Sequence, residues 1–234
     1  MNVLGIIPAR GGSKGFPGKH LAVLGGRTLL DWTAAAAKGS RRLQRVIVST
    51  DSEEIAAAAR DLGLDVPFMR DAALARDETL ILPVIADVLA RLSREGYVPD
   101  AVALLQVTSP LRRAHDIDAA VDLLETSGAD TVVSVVPVPH QYSPVSVMRM
   151  DDEWLTPFAD GPARTRRQDK PVLYARNGPA VLVTRPAAIA TGELYAGRVK
   201  ALVMDAADSV DIDNPMDLAI AEALLAYRQR AELS

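Results

Sequence analysis

Cysteine is missing from the chain altogether, which excludes disulfide staples and thiolate metal sites. Histidine is scarce: three are present, scattered, without the spacing of a zinc site. No apolar run reaches membrane-spanning length, and residues 1–7 are too short a stretch for a signal peptide. Charge is not skewed either. A formal net charge of −4 argues against a general grip on nucleic acid. Two phosphate-binding fingerprints are also lacking. Gly18-Lys19 is followed by His20, and Ser13 stands where a Walker A loop needs its first glycine; Gly-x-Gly-x-x-Gly does not occur. The expectation is a soluble cytoplasmic protein with no nucleic-acid or membrane partner.

The 234 residues, 49% of them hydrophobic and 24% charged, suffice for one α/β domain, 1–234, with a substantial core. Residues 3–7, 45–50, 66–69, 101–106 and 131–136 read as strands. Between them, helical spacing covers 28–38, 53–62, 77–92 and 114–125. Asp51 and Ser52 stand where a helix N-cap is wanted, and Pro83 suggests a kink or restart. The alternation predicts a mostly parallel, Rossmann-like sheet with helices on both faces. Beyond 136 the rhythm changes. Residues 138–175 read as a projecting insertion, with a hairpin strand at 145–150. Short strands at 172–174, 180–183 and 199–203 follow, then a last helix from Asn214-Pro215.

Chemistry concentrates first where the opening strand breaks at Pro8. The loop Ala9-Arg-Gly-Gly-Ser-Lys14, continuing to Lys19 and His20, holds Arg10, Lys14, Lys19 and four glycines. Glycine lets backbone N–H groups turn inward as an anion nest, and fixed cations beside it suit a polyphosphate. Gly11, Gly12 and Ser13 would form that nest. A second concentration is Asp211-Ile-Asp213: in extended chain both carboxylates face one side while Ile212 faces the core. Hard oxygens of this kind, with phosphate oxygens, are what Mg²⁺ prefers. A third is Gln106, Thr108 and Ser109, a polar end to a buried strand and so placed to touch a substrate.

These blocks carry a resemblance. Ile6-Ile-Pro-Ala-Arg-Gly-Gly-Ser-Lys-Gly15, Val48-Ser-Thr-Asp51, Leu104-Leu-Gln-Val-Thr-Ser-Pro-Leu-Arg112, Arg167-Gln168, Asn177-Gly178 and Ser209-Val-Asp-Ile-Asp213 occur in order. The chain resembles the acylneuraminate cytidylyltransferases along nearly its whole length. The resemblance implies a nucleotide-diphospho-sugar transferase fold, with 138–175 as a dimer arm and a homodimer as the assembly. It implies transfer of CMP from CTP to an acidic 2-keto-3-deoxy sugar, with release of pyrophosphate. Arg10, Lys14 and Lys19 would neutralise the phosphates. Ala9, Gly11, Gly12, Ser13, His20, Arg70 and Asp77 would bind the nucleotide. Asp211 and Asp213 would hold Mg²⁺. Gln106, Thr108, Ser109, Arg167, Gln168, Arg176 and Asn177 would meet the sugar, arginine being the natural partner of its carboxylate.

The sequence departs from the pattern at four places. His20 replaces an asparagine, Val181 a tyrosine and Ala175 an arginine, and a lysine near Pro144 is missing. A nucleotidyltransferase acting on a phosphonate or phosphosugar therefore stays open. So do a glycosyltransferase using Asp-x-Asp and a non-catalytic nucleotide-binding protein.

Overall fold

The structure, a computed structural model, describes residues 1–12, 15–159, 166 and 170–232. The chain opens with β1 (Val3–Pro8), a two-strand ribbon β2 (Val23–Leu24) and β3 (Arg27–Thr28), and α1 (Leu29–Gly39). Then come β4 (Arg45–Ser49), α2 (Glu53–Asp61), α3 (Ile81–Arg94), β5 (Ala101–Leu104), α4 (Ala114–Ser127) and β6 (Thr131–Pro137). A hairpin of β7 (Met148–Asp151) and β8 (Trp154–Pro157) follows. The chain returns through β9 (Tyr174–Arg176), β10 (Leu182–Thr184), α5 (Pro186–Ile189), β11 (Val199–Val203) and α6 (Pro215–Glu232).

The main sheet runs β11-β6-β10-β5-β1-β4, with β9 also paired to β6. β1 is parallel to β4 and β5, and β6 is parallel to β11; β10 and β9 run antiparallel. The sheet is thus mostly parallel, as the strand–helix rhythm predicts. Its central strands are buried on both faces, so they read as unbroken apolar runs. Val3 and Ile7 of β1 pack with α1, α2, α4 and α6; Leu4 and Ile6 pack with α3 and α5. Ile6 is fully buried, and cutting it to alanine should cost about 2–5 kcal/mol.

Two local expectations need correction, and a third is narrowed to one of its two residues. Residues 66–69 are not a strand: a single bridge joins Asp65 to Ile47, and Pro67 has no N–H to extend it. The helix expected over 77–92 begins at Ile81, which puts Pro83 in its first turn, where a missing N–H costs nothing and no kink is needed. The N-cap of α2 is Ser52, whose hydroxyl accepts from Ile55 N at 3.3 Å; Asp51 is employed elsewhere.

Chain order places the site. After β1 the next main-sheet strand, β4, lies on one side of it and β5 on the other. Such a switch point opens a crevice at the carboxyl ends of the strands, where α/β proteins take their ligands.

Candidate active site

The N-terminal loop leaves β1 at this crevice. Ala9, fully buried, donates its N–H to Ser49 O at 3.0 Å. Gly11 N donates to Asp51 Oδ1 at 2.9 Å, which pins the loop to the end of β4. A side chain at Gly11 would bring its Cβ to 3.1 Å from Ser52 Cβ, so glycine permits this approach. Gly12 faces open space. Ser13 and Lys14 lie outside the described residues. The chain re-enters at Gly15, against the backbone of Asp213, and turns through a short 3-10 helix, Lys19–Leu21.

A cleft of about 560 Å³ results, with Arg10, Lys19, His20, Arg70 and Asp77 among its walls. Arg10 Nη1 reaches Asp77 Oδ1 at 2.8 Å. Asp77, expected at the nucleotide, therefore holds the Arg10 guanidinium in place. Arg70 is buried and spends its guanidinium on Ser49, donating to Oγ at 3.1 Å and to the carbonyl at 2.5 Å. His20 is buried too. Burial first, and then the charges of Lys19, Arg70 and Arg10, lower its pKa to about 4. It is a neutral imidazole at pH 7, with one donor and one acceptor nitrogen. An asparagine amide offers the same pair.

The acidic pair arrives from the other end of the chain. Ile212 is fully buried and donates its N–H to Thr108 O at 2.8 Å, fixing the extended segment. Asp213 Oδ1 accepts from Lys19 Nζ at 3.0 Å. Asp211 is half-buried, and its Oδ1 has no hydrogen-bond partner. Burial pushes its pKa up, the Thr108 side chain and then Lys19 pull against that rise, and the charges of Asp213 and Asp217 add to it. Neither aspartate caps α6. Asn214 Oδ1 accepts from Met216 N and Asp217 N, and Asp217 Oδ2 accepts from Asp213 N and Asn214 N. Among the described residues no three His, Asp or Glu gather into a ready-made metal cage. This pair could hold a hard cation only with oxygens from a ligand or water completing the shell.

The third block borders the cleft at the end of β5. Gln106 and Thr108 line it; Ser109 is fully buried behind them. Gln106 Nε2 donates to Gly178 O at 2.9 Å. Asn177 is turned inward: its Oδ1 accepts from Ser134 Oγ at 2.6 Å and Ala180 N at 3.3 Å. Its buried amide ties the turn at 177–180 to β6. Arg176 lies in β9 with its guanidinium 4.3 Å from the Tyr195 ring centroid, and it is not among the cleft residues. Arg167 and Gln168 lie outside the described residues. Thr79 and Ile81, in the turn whose base contacts the apolar run Leu80-Ile81-Leu82 puts in question, also line the cleft, and so do Arg76 and Val84, which sequence reasoning did not assign to the site. Val84 reads as an ordinary core position of a helix. For Arg76, its place beside Asp77 was the only signal available.

Residues 4–231 match the family model described as Cytidylyltransferase. The chain belongs to the cytidylyltransferase family. Its relatives place it in the acylneuraminate branch. It is 33% identical over 232 residues to CMP-N,N'-diacetyllegionaminic acid synthase of Legionella pneumophila, covering 99% of both chains. It is 32% identical to N-acylneuraminate cytidylyltransferase of Escherichia coli, covering 99% of this chain and 54% of that one. Among solved structures, CMP:2-keto-3-deoxy-manno-octonic acid synthetase complexed with CTP aligns over 97% of this chain and 100% of that one, with a TM-score of 0.72. At 15% identity that likeness is one of fold. This cytidylyltransferase therefore has the nucleotide-diphospho-sugar transferase architecture that its motifs imply.

Proposed function

We propose that this chain transfers CMP from CTP to a nonulosonic acid, an acidic 2-keto-3-deoxy sugar, and releases pyrophosphate. One observation carries the reading: the cationic loop and the Asp-x-Asp segment meet at one cleft, with Lys19 Nζ on Asp213 Oδ1. Phosphoryl-type transfer asks a protein for alignment and charge neutralisation more than for covalent chemistry. Arg10, Lys14 and Lys19 would neutralise the triphosphate, while N–H groups of Gly12 and Ser13 would cradle it, Gly11 holding the loop in place through Asp51. His20 would hydrogen-bond the nucleoside as a neutral group. Gln106 and Thr108 would orient the acceptor so that its hydroxyl faces the α-phosphate. That hydroxyl loses its proton as the new P–O bond forms, and pyrophosphate leaves with the bond that breaks.

Asp211 and Asp213 would hold Mg²⁺. The unpartnered Asp211 Oδ1 beside a second carboxylate supports the fit, since hard oxygens suit that ion. When bound, the ion would neutralise phosphate charge and lower the pKa of a hydroxyl.

The insertion would act as a dimer arm. β7 and β8 are exposed on both faces, with Met150 71%, Trp154 78% and Leu155 61% accessible, an apolar surface of the kind that marks an interface. Leu155→Asp should turn a dimer into a monomer in sedimentation experiments; an unchanged mass would remove the arm from the interface. Described helices include none long and apolar enough to cross a membrane. We place the reaction in the cytoplasm, where CTP is available.

The test is pyrophosphate release with each of four nucleoside triphosphates against a panel of nonulosonic acids, 2-keto-3-deoxy acids and phosphosugars, with and without Mg²⁺. Turnover should require CTP, an acidic keto-sugar and Mg²⁺ together. Turnover with phosphosugars alone would refute the acceptor class, and CTP binding without any turnover would refute the enzyme.

A further inference from the structure

Two irregular segments meet beside the cleft, each tied to the sheet near one end only, through Leu105 N to Ile6 O and Ser134 N to Val181 O, both at 2.9 Å. One is the turn after β5, residues 105–112, which carries Gln106 and Thr108. The other interrupts the strand that runs antiparallel to β6. Arg176 pairs with Val135 and Leu182 with Val133, so residues 177–181 all oppose Ser134 alone. The bulge presses Gly178 against Asp211: a Cβ there would sit 3.2 Å from the carboxylate and 3.3 Å from Ser109 Oγ. Between those ties the carbonyls need donors from outside the ladder: Gly178 O takes Gln106 Nε2 at 2.9 Å, and Gln106 O takes Ser109 N at a long 3.4 Å.

Arg112 is a second link between the segments, and the buried one. Its Nη1 gives hydrogen bonds to Gln106 O at 3.1 Å and to Ala180 O at 2.6 Å, one carbonyl from each segment. The side chain is 3% exposed. Among the described residues no carboxylate forms an ion pair with it, and its Nε and Nη2 have no hydrogen-bond partner. Burial lowers its pKa to about 10, so it remains charged at pH 7. A buried, unpaired guanidinium is an expensive strut, and leucine or methionine would fill the space at less cost. What those residues could not do is bridge two carbonyls.

We propose that Arg112 is a positioning residue: it fastens the end of β5 to the 177–181 bulge and so preforms the acceptor wall between Gln106 and Asp211. The inference rests on the cytidylyltransferase reading for its kinetic consequence, but not for the lock itself. The CTP side is pinned separately, through Ala9, Gly11 and Arg70 to the end of β4. Loosening the lock should therefore be felt by one substrate and not the other.

The experiment compares wild type with Arg112→Met and Arg112→Lys, by amide hydrogen exchange and by steady-state kinetics. In both variants exchange at Ala180 and Val181 should quicken while β1 and β4 keep their protection. The acceptor KM should rise about 10- to 100-fold in Arg112→Met, the scale of an ångström-sized misplacement, with the CTP KM nearly unchanged. Arg112→Lys, able to reach one carbonyl, should recover part of that loss; it also serves if the methionine variant does not fold. Unchanged exchange at 180–181, or a uniform rise across the sheet, would overturn the lock. Faster local exchange with equal changes in both KM values would overturn the positioning role. If wild type turns over no acceptor, the proposed function fails while the exchange result still decides the lock.

Discussion

Lys19 Nζ and Asp213 Oδ1 are 3.0 Å apart although 194 positions separate them in the chain. The cation that would hold a phosphate and the carboxylate that would hold a metal are thus joined before any ligand arrives. The pair is half-open to solvent, with Asp213 71% accessible, so its own contribution to stability is small. Its meaning is positional. Lys19→Met should lower kcat/KM for CTP by roughly 10²- to 10³-fold, the scale of losing one preorganised charge contact, while thermal stability barely moves. A comparable loss in melting temperature would make the pair structural instead.

Asp211 gives a prediction with opposite signs for stability and activity. Its folded pKa is raised, chiefly by burial, so folding favours its protonated form. The stability it contributes is present at pH below the unfolded carboxylate pKa and lost as pH rises through the folded value. Asp211→Asn should therefore stabilise the ligand-free protein at neutral pH while removing Mg²⁺-dependent turnover. Melting temperatures at pH 7 and a Mg²⁺ titration of pyrophosphate release check both halves.

The His20 case runs the other way. Its pKa falls from 6.5 to about 4, so its contribution to stability is complete above 6.5 and fades as pH drops toward 4. His20→Asn should flatten that part of the stability curve and keep most of the turnover, because the amide supplies the same donor and acceptor. Loss of turnover with CTP binding intact would show that the imidazole does something an amide cannot.

Gly178 is at φ +108°, where side chains are strained, and it touches Asp211. Gly178→Ala should cost about 1–3 kcal/mol from the backbone alone. It should cost activity beyond that, since the new methyl displaces Asp211. Chemical denaturation and turnover of the folded fraction separate the two.

The parts legible in sequence are those with a local cause. β1 and β5 are apolar on both faces because both faces are covered, and a run of that kind stands out. Asp211-Ile-Asp213 declared its two sides through alternation, and Ile212 is indeed the buried member. What escaped notice depends on distant partners. Nothing near Asp77 says that Arg10 will pair with it, and nothing near Arg112 says that it will bridge Gln106 and Ala180. Nothing near Arg176 says that the fold will set its guanidinium over Tyr195. The 66–69 segment had the composition of a strand, but Pro67 denied it a ladder.

The cleft at the tip of β1 is closed by residues that follow β11, the last strand of the sheet. A nascent chain carries its cationic loop from the first moments of synthesis and the acidic partner of that loop only near the end. CTP binding of productive strength should accordingly appear late on the ribosome, once the segment through Asp213 has emerged, and a chain stalled before β11 should have no working catalytic centre.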